Sequence, residues 1–174
     1  MAPVSISVII PCYNSSVALA NNLPYLIDNL VLTNKQFEII IVNDGSTDAI
    51  ALQEIVDKNQ LVYLSHKQNL GKGQALRAGF RAAKGDIQVF TDPDIPYTFE
   101  AFQLIIEELS AESADLVIGN RLSNNSVYYH KIGLVRRIGS RFVSFFLGTL
   151  VTGGYYDTQC GIKGFTKPAA EKIF

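Results

Sequence analysis

The sequence predicts an α/β sandwich, in which helices cover both faces of a mainly parallel central sheet. Short, continuous apolar runs recur along the chain, at 6–10, 37–42, 61–64, 87–90 and 116–118. Continuous runs are typical of strands that are covered on both faces, whereas half-exposed strands alternate between apolar and polar residues. Segments with helical character lie between these runs, at 17–32, 48–58, 73–83 and 99–109. This alternation of strand and helix indicates successive right-handed βαβ units.

The ends of the first two strands carry turn signals. Pro11 is expected to end the first strand, because proline cannot donate a hydrogen bond to a ladder. Asp44 and Gly45 are typical of a turn after the second strand. Ser46 is then the predicted N-cap of the second helix, and Asp48 lies in its first turn, where a carboxylate is favourable.

The later part of the chain predicts the size of the domain. Gly71 and Gly73 permit a tight loop into the third helix. A further helix is predicted over 168–174, and the sequence stops inside it. With 174 residues, 48% of them hydrophobic, the chain can build a sizeable core. We therefore expect a single domain over 1–174 that is a C-terminally truncated part of a longer protein.

Composition narrows the class of protein. The net charge of −1 gives no electrostatic argument for a nucleic-acid partner. Cys12 and Cys160 show neither metal-ligand spacing nor a disulfide framework, which predicts two thiols in a reducing compartment. No basic stretch precedes an apolar one at the N-terminus, and no run approaches the roughly 20 apolar residues of a membrane span. We expect neither a secretory signal nor a membrane span within 1–174.

Polar and turn-forming residues follow every predicted strand, at 11–14, 43–48, 66–73, 92–94 and 119–121. The carboxyl ends of parallel strands meet at one edge of a sheet, where ligands bind in such folds. Each loop taken alone has a structural explanation that is at least as good. Five such loops at one edge indicate a binding site.

Asp92 and Asp94 are the most informative pair at this edge. They lie one residue apart, directly after the buried run 87–90. An Asp-x-Asp motif alone occurs by chance in many loops. However, hard oxygen ligands suit Mg²⁺ or Mn²⁺ bound to a diphosphate, and burial near a strand end is costly for a carboxylate with no such role. The pair predicts metal-assisted chemistry on a nucleotide.

The order of motifs at 7–14, 41–48, 69–75 and 91–94 resembles the inverting family 2 glycosyltransferases of the GT-A fold. The match covers nearly the whole chain. The segment 157–165, preceded by Gly-Asn-Arg at 119–121, is similar to the polyprenyl-phosphate branch, and its Asp-Thr-Gln-Cys-Gly sequence is closer to dolichyl-phosphate β-glucosyltransferases than to the mannosyltransferases. The resemblance implies inverting transfer of a sugar, with glucose favoured, from a UDP-sugar to a polyprenyl phosphate. It also implies a cytoplasmic enzyme in peripheral contact with the inner face of a membrane.

The resemblance also assigns residues to the donor. Pro11, Tyr13 and Asn14 match the loop around the nucleotide base, and Asp44 matches the carboxylate that binds uracil or ribose. Lys72 matches the loop that approaches the base and ribose, although a solvated surface lysine explains it equally well.

The metal site follows from the same resemblance, with two departures from the family pattern. Asp94 is implied to ligate Mg²⁺ or Mn²⁺, and Asp92 to contact ribose directly or the metal through water. Ser15 stands where the family usually has an acidic residue, which puts one contact near the nucleotide in doubt. Pro93 replaces a small residue between the two aspartates and fixes the loop backbone.

The acceptor side is predicted from a basic stretch. No Asp or Glu occurs from 116 to 156, and Arg121, Arg137 and Arg141 fall inside this stretch. If 131–151 is helical, Arg137 and Arg141 share one face opposite several phenylalanines. Such a helix either packs in the core or lies at a membrane surface and offers guanidinium groups to a lipid phosphate. With the resemblance, we favour the second interpretation.

A phosphate acceptor changes what the catalytic residues must do. A phosphate monoester is already anionic at neutral pH and needs positioning more than a general base. Asp157 is then expected to orient a sugar hydroxyl, or to act as the base if the acceptor is a hydroxyl. Gln159 is expected to shape the sugar pocket.

Alternative functions stay open at this point. A family 2 enzyme that builds a cell-surface polysaccharide on a hydroxyl acceptor would require Asp157 as a base. A non-catalytic nucleotide-sugar binding module is compatible with the departure at Ser15. A pyrophosphorylase shares the architecture but requires a glycine-rich loop after the first strand. His66 and His130 have no partners at metal spacing and are interpreted as surface or loop residues, and a homo-oligomer is compatible with the sequence.

Overall fold

The structure is a computed structural model, and it describes residues 6–120 and 160–174. The chain divides into two compact units, Met1–Val117 with Ile162–Phe174, and Ile118–Gly161. Apart from Ile118, the last residue of the fifth strand, every helix and strand described below belongs to the first unit. Of the second unit, only 118–120 and 160–161 are described.

The elements alternate as predicted, and most of their ends agree with the predictions within two residues. In chain order they are β1 (Ile6–Cys12), α1 (Ser16–Leu32), β2 (Phe37–Asp44), α2 (Ala49–Asn59), β3 (Val62–His66), α3 (Lys72–Ala82), β4 (Ile87–Phe90), α4 (Phe99–Ser110), β5 (Leu116–Ile118), β6 (Lys163–Thr166) and α5 (Lys167–Ile173). The final helix, predicted over 168–174, begins one residue earlier in the structure, at Lys167.

The six strands form one sheet in the order β3-β2-β1-β4-β6-β5. β1 runs parallel to β2 and to β4, and β2 runs parallel to β3. β6 pairs with β4 in the antiparallel sense. The mainly parallel α/β sheet is thus confirmed, but the antiparallel β6 was not predicted, because its four residues carry no apolar run that marks a strand.

Pro11 does not end the first strand, contrary to the prediction. It lies within β1, is buried, and pairs with Val42 of β2. On its other side β1 pairs with β4, and this pairing ends at Ile9 and Phe90. Its last hydrogen bond is donated by the Thr91 amide to the Ile9 carbonyl, at 3.1 Å. Residues 9 and 11 direct their backbone polar groups to the same side of the strand. The missing N–H of Pro11 therefore faces the side without a partner strand, where it costs no ladder bond.

The core lies on both faces of the central strands. Ile9 and Ile40 are fully buried and pack with Phe80 of α3 on one face. Phe80 also makes edge contacts with Phe90 and Phe165, at centroid distances of 6.3 and 5.2 Å. These rings bury large apolar areas, and the paired geometry adds about 0.5–1.5 kcal/mol per pair. The face beneath α3 and α5 is therefore an aromatic layer that ends at Phe90.

The opposite face of β4 and β6 lies under α4. A Cβ atom at Gly164 would lie 2.3 Å from Cγ2 of Ile105 and 2.8 Å from Cδ1 of Leu109. Gly164 therefore lets α4 lie close to the strand. Because neighbouring residues of a strand point to opposite faces, Lys163 and Phe165 lie on the α3 face, beside Phe90.

Candidate functional site

Asn14 joins the loops after β1 and β2 through three hydrogen bonds. The Asn14 amide donates to Ser46 Oγ at 3.1 Å, and the amide and hydroxyl of Thr47 donate to Asn14 Oδ1 at 2.8 and 3.0 Å. Asn14 has a φ of 49°, in the left-handed region that asparagine tolerates better than most residues. The side-chain oxygen of Asn14 thus holds the two loops together, and its contact with a nucleotide base stays a prediction.

Asp48 and Ser46 do not have the predicted capping roles. Asp48, not Ser46, occupies the N-cap position of α2, and its side chain makes no bond to that helix. Instead, Asp48 Oδ2 accepts a hydrogen bond from the Ser16 amide of α1 at 2.8 Å. Ser46 Oγ donates to the Cys12 carbonyl at 3.4 Å. One carboxylate therefore satisfies the start of the neighbouring helix, where Ser15 makes no side-chain cap.

The electrostatics around Asp48 favour its ionised form. Burial tends to raise the pKa of Asp48, but hydrogen bonding, chiefly from the Ser16 amide, outweighs burial and leaves the pKa below its ordinary value. Burial raises the pKa of the neighbouring Cys12 thiol to about 12, with the nearby Ser15 hydroxyl opposing and the charge of Asp48 adding. Cys12 is therefore protonated at neutral pH and is not a nucleophile.

Asp44 is the buried carboxylate at the carboxyl end of β2, with an exposed fraction of 3%. Its Oδ1 accepts hydrogen bonds from the Leu70 amide at 2.9 Å and pairs with His66 Nδ1 at 2.7 Å, while its Oδ2 accepts from the Gly71 amide at 2.8 Å. Burial tends to raise the pKa of Asp44, but these hydrogen bonds and the proximity of His66 hold the pKa below its usual value. Asp44 is an anion that anchors the loop between β3 and α3.

His66 was interpreted as a surface or loop residue, but it lies in a strand and its side chain is 19% exposed. His66 is the last residue of β3, and in the pairing of β3 with the neighbouring β2 its register partner is Asp44. Because the ionised carboxylate only accepts hydrogen bonds, Nδ1 of His66 is the donor in this pair. The position of His66, one residue beyond the apolar run 61–64, was an available signal, since Asp44 lies one residue beyond the run 37–42.

Lys72, the first residue of α3, reaches across to the Asp-x-Asp motif. Its Nζ forms an ion pair with Asp92 Oδ1 and lies 5.6 Å from the centroid of the Phe90 ring. The two side chains are 49% and 33% exposed. A pair this exposed contributes about 0–1 kcal/mol, so a ligand can displace it at little cost.

The turn Asp92–Ile95 displays the two aspartates. The Ile95 amide donates to the Asp92 carbonyl at 3.0 Å, which places Pro93 and Asp94 at the two central positions. Proline suits the first of these, because its φ is fixed near the value that the turn requires. Ile95 is 6% exposed and has a φ of 39°, an unusual conformation for a β-branched residue. Asp94 is exposed and makes no ion pair with any described residue.

The structure therefore brings together part of the predicted site. Asp44, Lys72 and Asp92 meet around the Gly71 loop, and Asp94 lies beside them on the turn. Tyr13 is 51% exposed at the same edge of the sheet. No group of three His, Cys, Asp or Glu side chains is arranged for metal binding within 6–120 and 160–174.

The predicted acceptor residues are not tested by this geometry. All five of them lie outside the described residues, as does the proposed helix at 131–151. They are Arg121, Arg137, Arg141, Asp157 and Gln159. Sequence reasoning missed Lys163, whose Nζ lies 5.6 Å from the centroid of Phe90. The position of Lys163 beside Phe90 depends on the antiparallel pairing of β6 with β4, which the sequence did not predict.

A covered parallel sheet with carboxylates at the ends of β2 and β4 is an arrangement shared by many α/β nucleotide-binding enzymes. The chain belongs to glycosyl transferase family 2, whose family model matches residues 7–174. This confirms the family that the order of the sequence motifs indicated.

Curated relatives include a dolichyl-phosphate β-glucosyltransferase from Dictyostelium discoideum, which is 32% identical over 97% of this chain and 56% of its own length. A UDP-N-acetylglucosamine–dolichyl-phosphate N-acetylglucosaminyltransferase from Methanococcus voltae is 30% identical over 99% of this chain and 74% of its own length. The chain thus spans about half the length of several curated relatives that it matches.

Solved structures confirm the GT-A fold. Glucosyl-3-phosphoglycerate synthase from Mycobacterium tuberculosis, solved with Mn²⁺, UDP and glucosyl-3-phosphoglycerate, has a TM-score of 0.68 at 22% identity, over 94% of this chain and 57% of its own. A mannosyltransferase from Pyrobaculum calidifontis, solved with GDP-Man and Mn²⁺, has a TM-score of 0.62 at 18% identity, over 99% of this chain and 47% of its own. Within 6–120 and 160–174, none of the helices combines the length and hydrophobicity that a membrane crossing requires.

Proposed function

We propose that this chain carries the donor site of an inverting glycosyltransferase that moves a sugar, with glucose favoured, from a UDP-sugar to a polyprenyl phosphate. The observation that carries the proposal is the meeting of Asp44, Lys72 and Asp92 around one loop. The names of the relatives, several of which are dolichyl-phosphate β-glucosyltransferases, support this acceptor over a sugar hydroxyl.

Asp44 is suited to recognise the base or the ribose. An ionised carboxylate has about four acceptor positions, and His66, Leu70 and Gly71 occupy three of them. The remaining position accepts one more donor, such as the imide N–H of uracil or a ribose hydroxyl. The loop after β1 lies against the loop after β2, which puts the exposed Tyr13 where it can cover the base.

The residues of the turn Asp92–Ile95 fit a divalent cation. Mg²⁺ is usually held by one or two carboxylates together with substrate phosphates and water, and two carboxylates are what this turn offers. Asp94 would ligate the cation directly and Asp92 would assist. When bound, Mg²⁺ or Mn²⁺ would neutralise negative charge on the diphosphate leaving group. The structures of neighbours that contain Mn²⁺ support a divalent cation, and we propose Mn²⁺ for the first tests.

The acceptor would be positioned by residues outside those described. Arg121, Arg137 and Arg141 are proposed to hold the phosphate of the lipid, and Asp157 and Gln159 to orient the sugar. A phosphate monoester attacks without prior deprotonation, so positioning carries most of the catalysis. Direct attack inverts the anomeric carbon, so an α-linked donor would give a β-linked product. The reaction would take place at the cytoplasmic face of a membrane.

The donor site is tested by titration calorimetry of UDP with and without Mn²⁺, on the chain and on an Asp94→Asn variant. We expect Mn²⁺ to tighten UDP binding in the wild-type chain and to have little effect in the variant. Asp86→Asn, at the opposite end of β4, is the matched control and should bind like the wild type. A folded wild-type chain that does not bind UDP would overturn the proposed function. Turnover of a UDP-sugar with a short polyprenyl phosphate then separates an enzyme from a binding module.

A further inference from the structure

The antiparallel strand β6 adds a charged residue to this site. Lys163 is the register partner of Phe90, the last residue of β4. Directly opposed residues of an antiparallel pair have side chains on the same face of the sheet. Phe90 faces α3, since its ring contacts Phe80. Lys163 is therefore on the α3 face, at the carboxyl end of β4, where the turn Asp92–Ile95 begins.

Two lysines share the ring of Phe90. Nζ of Lys72 and Nζ of Lys163 each lie 5.6 Å from its centroid. Both distances are within the range of a cation–π contact, so the ring attracts both ammonium groups. The two lysines come from distant parts of the sequence, at the start of α3 and the start of β6.

Both ammonium groups lie near the start of the turn Asp92–Ile95. Asp92 of this turn is paired with Lys72. The chain stays extended just past β4, where the Thr91 amide donates to the Ile9 carbonyl. Since a strand rises about 3.3 Å per residue, Asp92 lies within about 7 Å of Phe90. The proposed diphosphate would therefore lie within reach of both ammonium groups.

We propose that Lys163 is a further positioning residue, which binds the diphosphate of the nucleotide sugar beside Lys72. This inference rests on the proposed function. An ammonium group on a flexible stem is suited to phosphate oxygens, since it offers three donors and no fixed plane. Negative charge on the diphosphate increases as the sugar departs. A positive charge at Lys163 therefore stabilises the transition state more than the bound donor.

The test compares a ligand that has the diphosphate with one that lacks it. UDP is titrated by calorimetry in the presence of Mn²⁺, and uridine is titrated by NMR, on the wild-type chain and on Lys163→Met, Lys163→Arg and Lys84→Met. We expect Lys163→Met to weaken UDP binding at least about tenfold, as loss of a hydrogen bond to a charged group does, and to leave uridine binding unchanged. Lys163→Arg should restore most of the UDP affinity. Lys84→Met, at the opposite edge of the sheet, should bind UDP normally.

The outcomes separate this inference from the proposed function. Equal loss of UDP and uridine affinity in Lys163→Met would show a structural role and overturn the inference. Unchanged UDP affinity in Lys163→Met would overturn it as well, while the proposed function would stand. Failure of the wild-type chain to bind UDP would overturn the proposed function and this assignment with it. Circular dichroism spectra of all four proteins show whether each variant is folded.

Discussion

His66 shows how much the orientation of a single carboxylate depends on its neighbours. Asp44 is held by two backbone amides and by one side chain, and His66 provides that side-chain contact at 2.7 Å. The backbone donors belong to the loop that also carries Lys72. His66 therefore helps to fix the orientation of the Asp44 carboxylate, and with it the angle at which Asp44 would face the proposed nucleotide.

We predict that His66→Leu weakens UDP binding about tenfold, because a hydrogen bond to a charged group is typically worth about 1.5–3 kcal/mol. His66→Asn places an amide donor near the position of Nδ1 and should recover most of the affinity. Calorimetry of both variants with UDP and Mn²⁺ measures the difference. Equal affinity of His66→Leu and wild type would contradict a positioning role for His66.

At the scale of single elements, α3 packs closely against the centre of the sheet. A Cβ atom at Gly79 would lie 2.4 Å from Cγ2 of Ile9 and 3.1 Å from Cγ2 of Val42. At Gly73, in the same helix, no atom lies within 4 Å of such a Cβ. The two glycines therefore serve different purposes, one allowing contact with β1 and one lying exposed in the first turn.

Gly79→Ala is expected to lower the free energy of unfolding by about 1–3 kcal/mol, because overpacking outweighs the gain in helix propensity. Gly73→Ala is the matched control and should raise it by roughly 0.5–1 kcal/mol, since only the propensity changes. Urea unfolding monitored by circular dichroism measures both. A stabilised Gly79→Ala variant would show that α3 can move away from Ile9 freely.

The elements also show what the sequence could and could not predict. Strands β1 to β5 were predictable because buried parallel strands require continuous apolar runs. β6 was missed because Gly164 and Lys163 give it no such run. Its glycine is required by the contact with α4, which is a tertiary effect that local sequence does not express.

The helix caps and the candidate site also depend on tertiary contacts that the local sequence does not express. Asp48 was assigned to its own helix, but it caps α1, because the loop after β1 brings Ser16 within reach. The positions of Asp44 and Asp92 were predictable, since each follows an apolar run with one residue between. Their connection through Gly71 and Lys72 depends on how the third loop folds back, which required the structure.

For the molecule as a whole, hydrogen-bonded carboxylates link folding to pH. The pKa values of Asp44 and Asp48 are both below their ordinary values in the folded protein. Both groups therefore bind fewer protons when folded than when unfolded. Their contribution to stability is fully present above the unfolded pKa of about 3.9, and it is lost as the pH falls through their folded values.

We predict that the free energy of unfolding falls as the pH is lowered below about 4, and that Asp44→Asn makes this fall shallower. At neutral pH, Asp44→Asn should be less stable by about 1–3 kcal/mol, because buried donors lose an ionised acceptor. The two stability curves should converge in acid. Urea unfolding at a series of pH values tests this, and parallel curves would show that the charge of Asp44 does not contribute to the pH dependence.

Ile95 has a consequence for how far the turn Asp92–Ile95 can vary among related proteins. Its left-handed backbone costs about 1–3 kcal/mol, and burial of its side chain returns about 1.5–3 kcal/mol. Since these terms nearly cancel, the turn that displays Asp92 and Asp94 adds little to the stability of the whole domain. Substitutions there can therefore reshape the loop without unfolding the protein. In evolutionary terms, the turn Asp92–Ile95 is a position at which the sequence can drift while the fold persists.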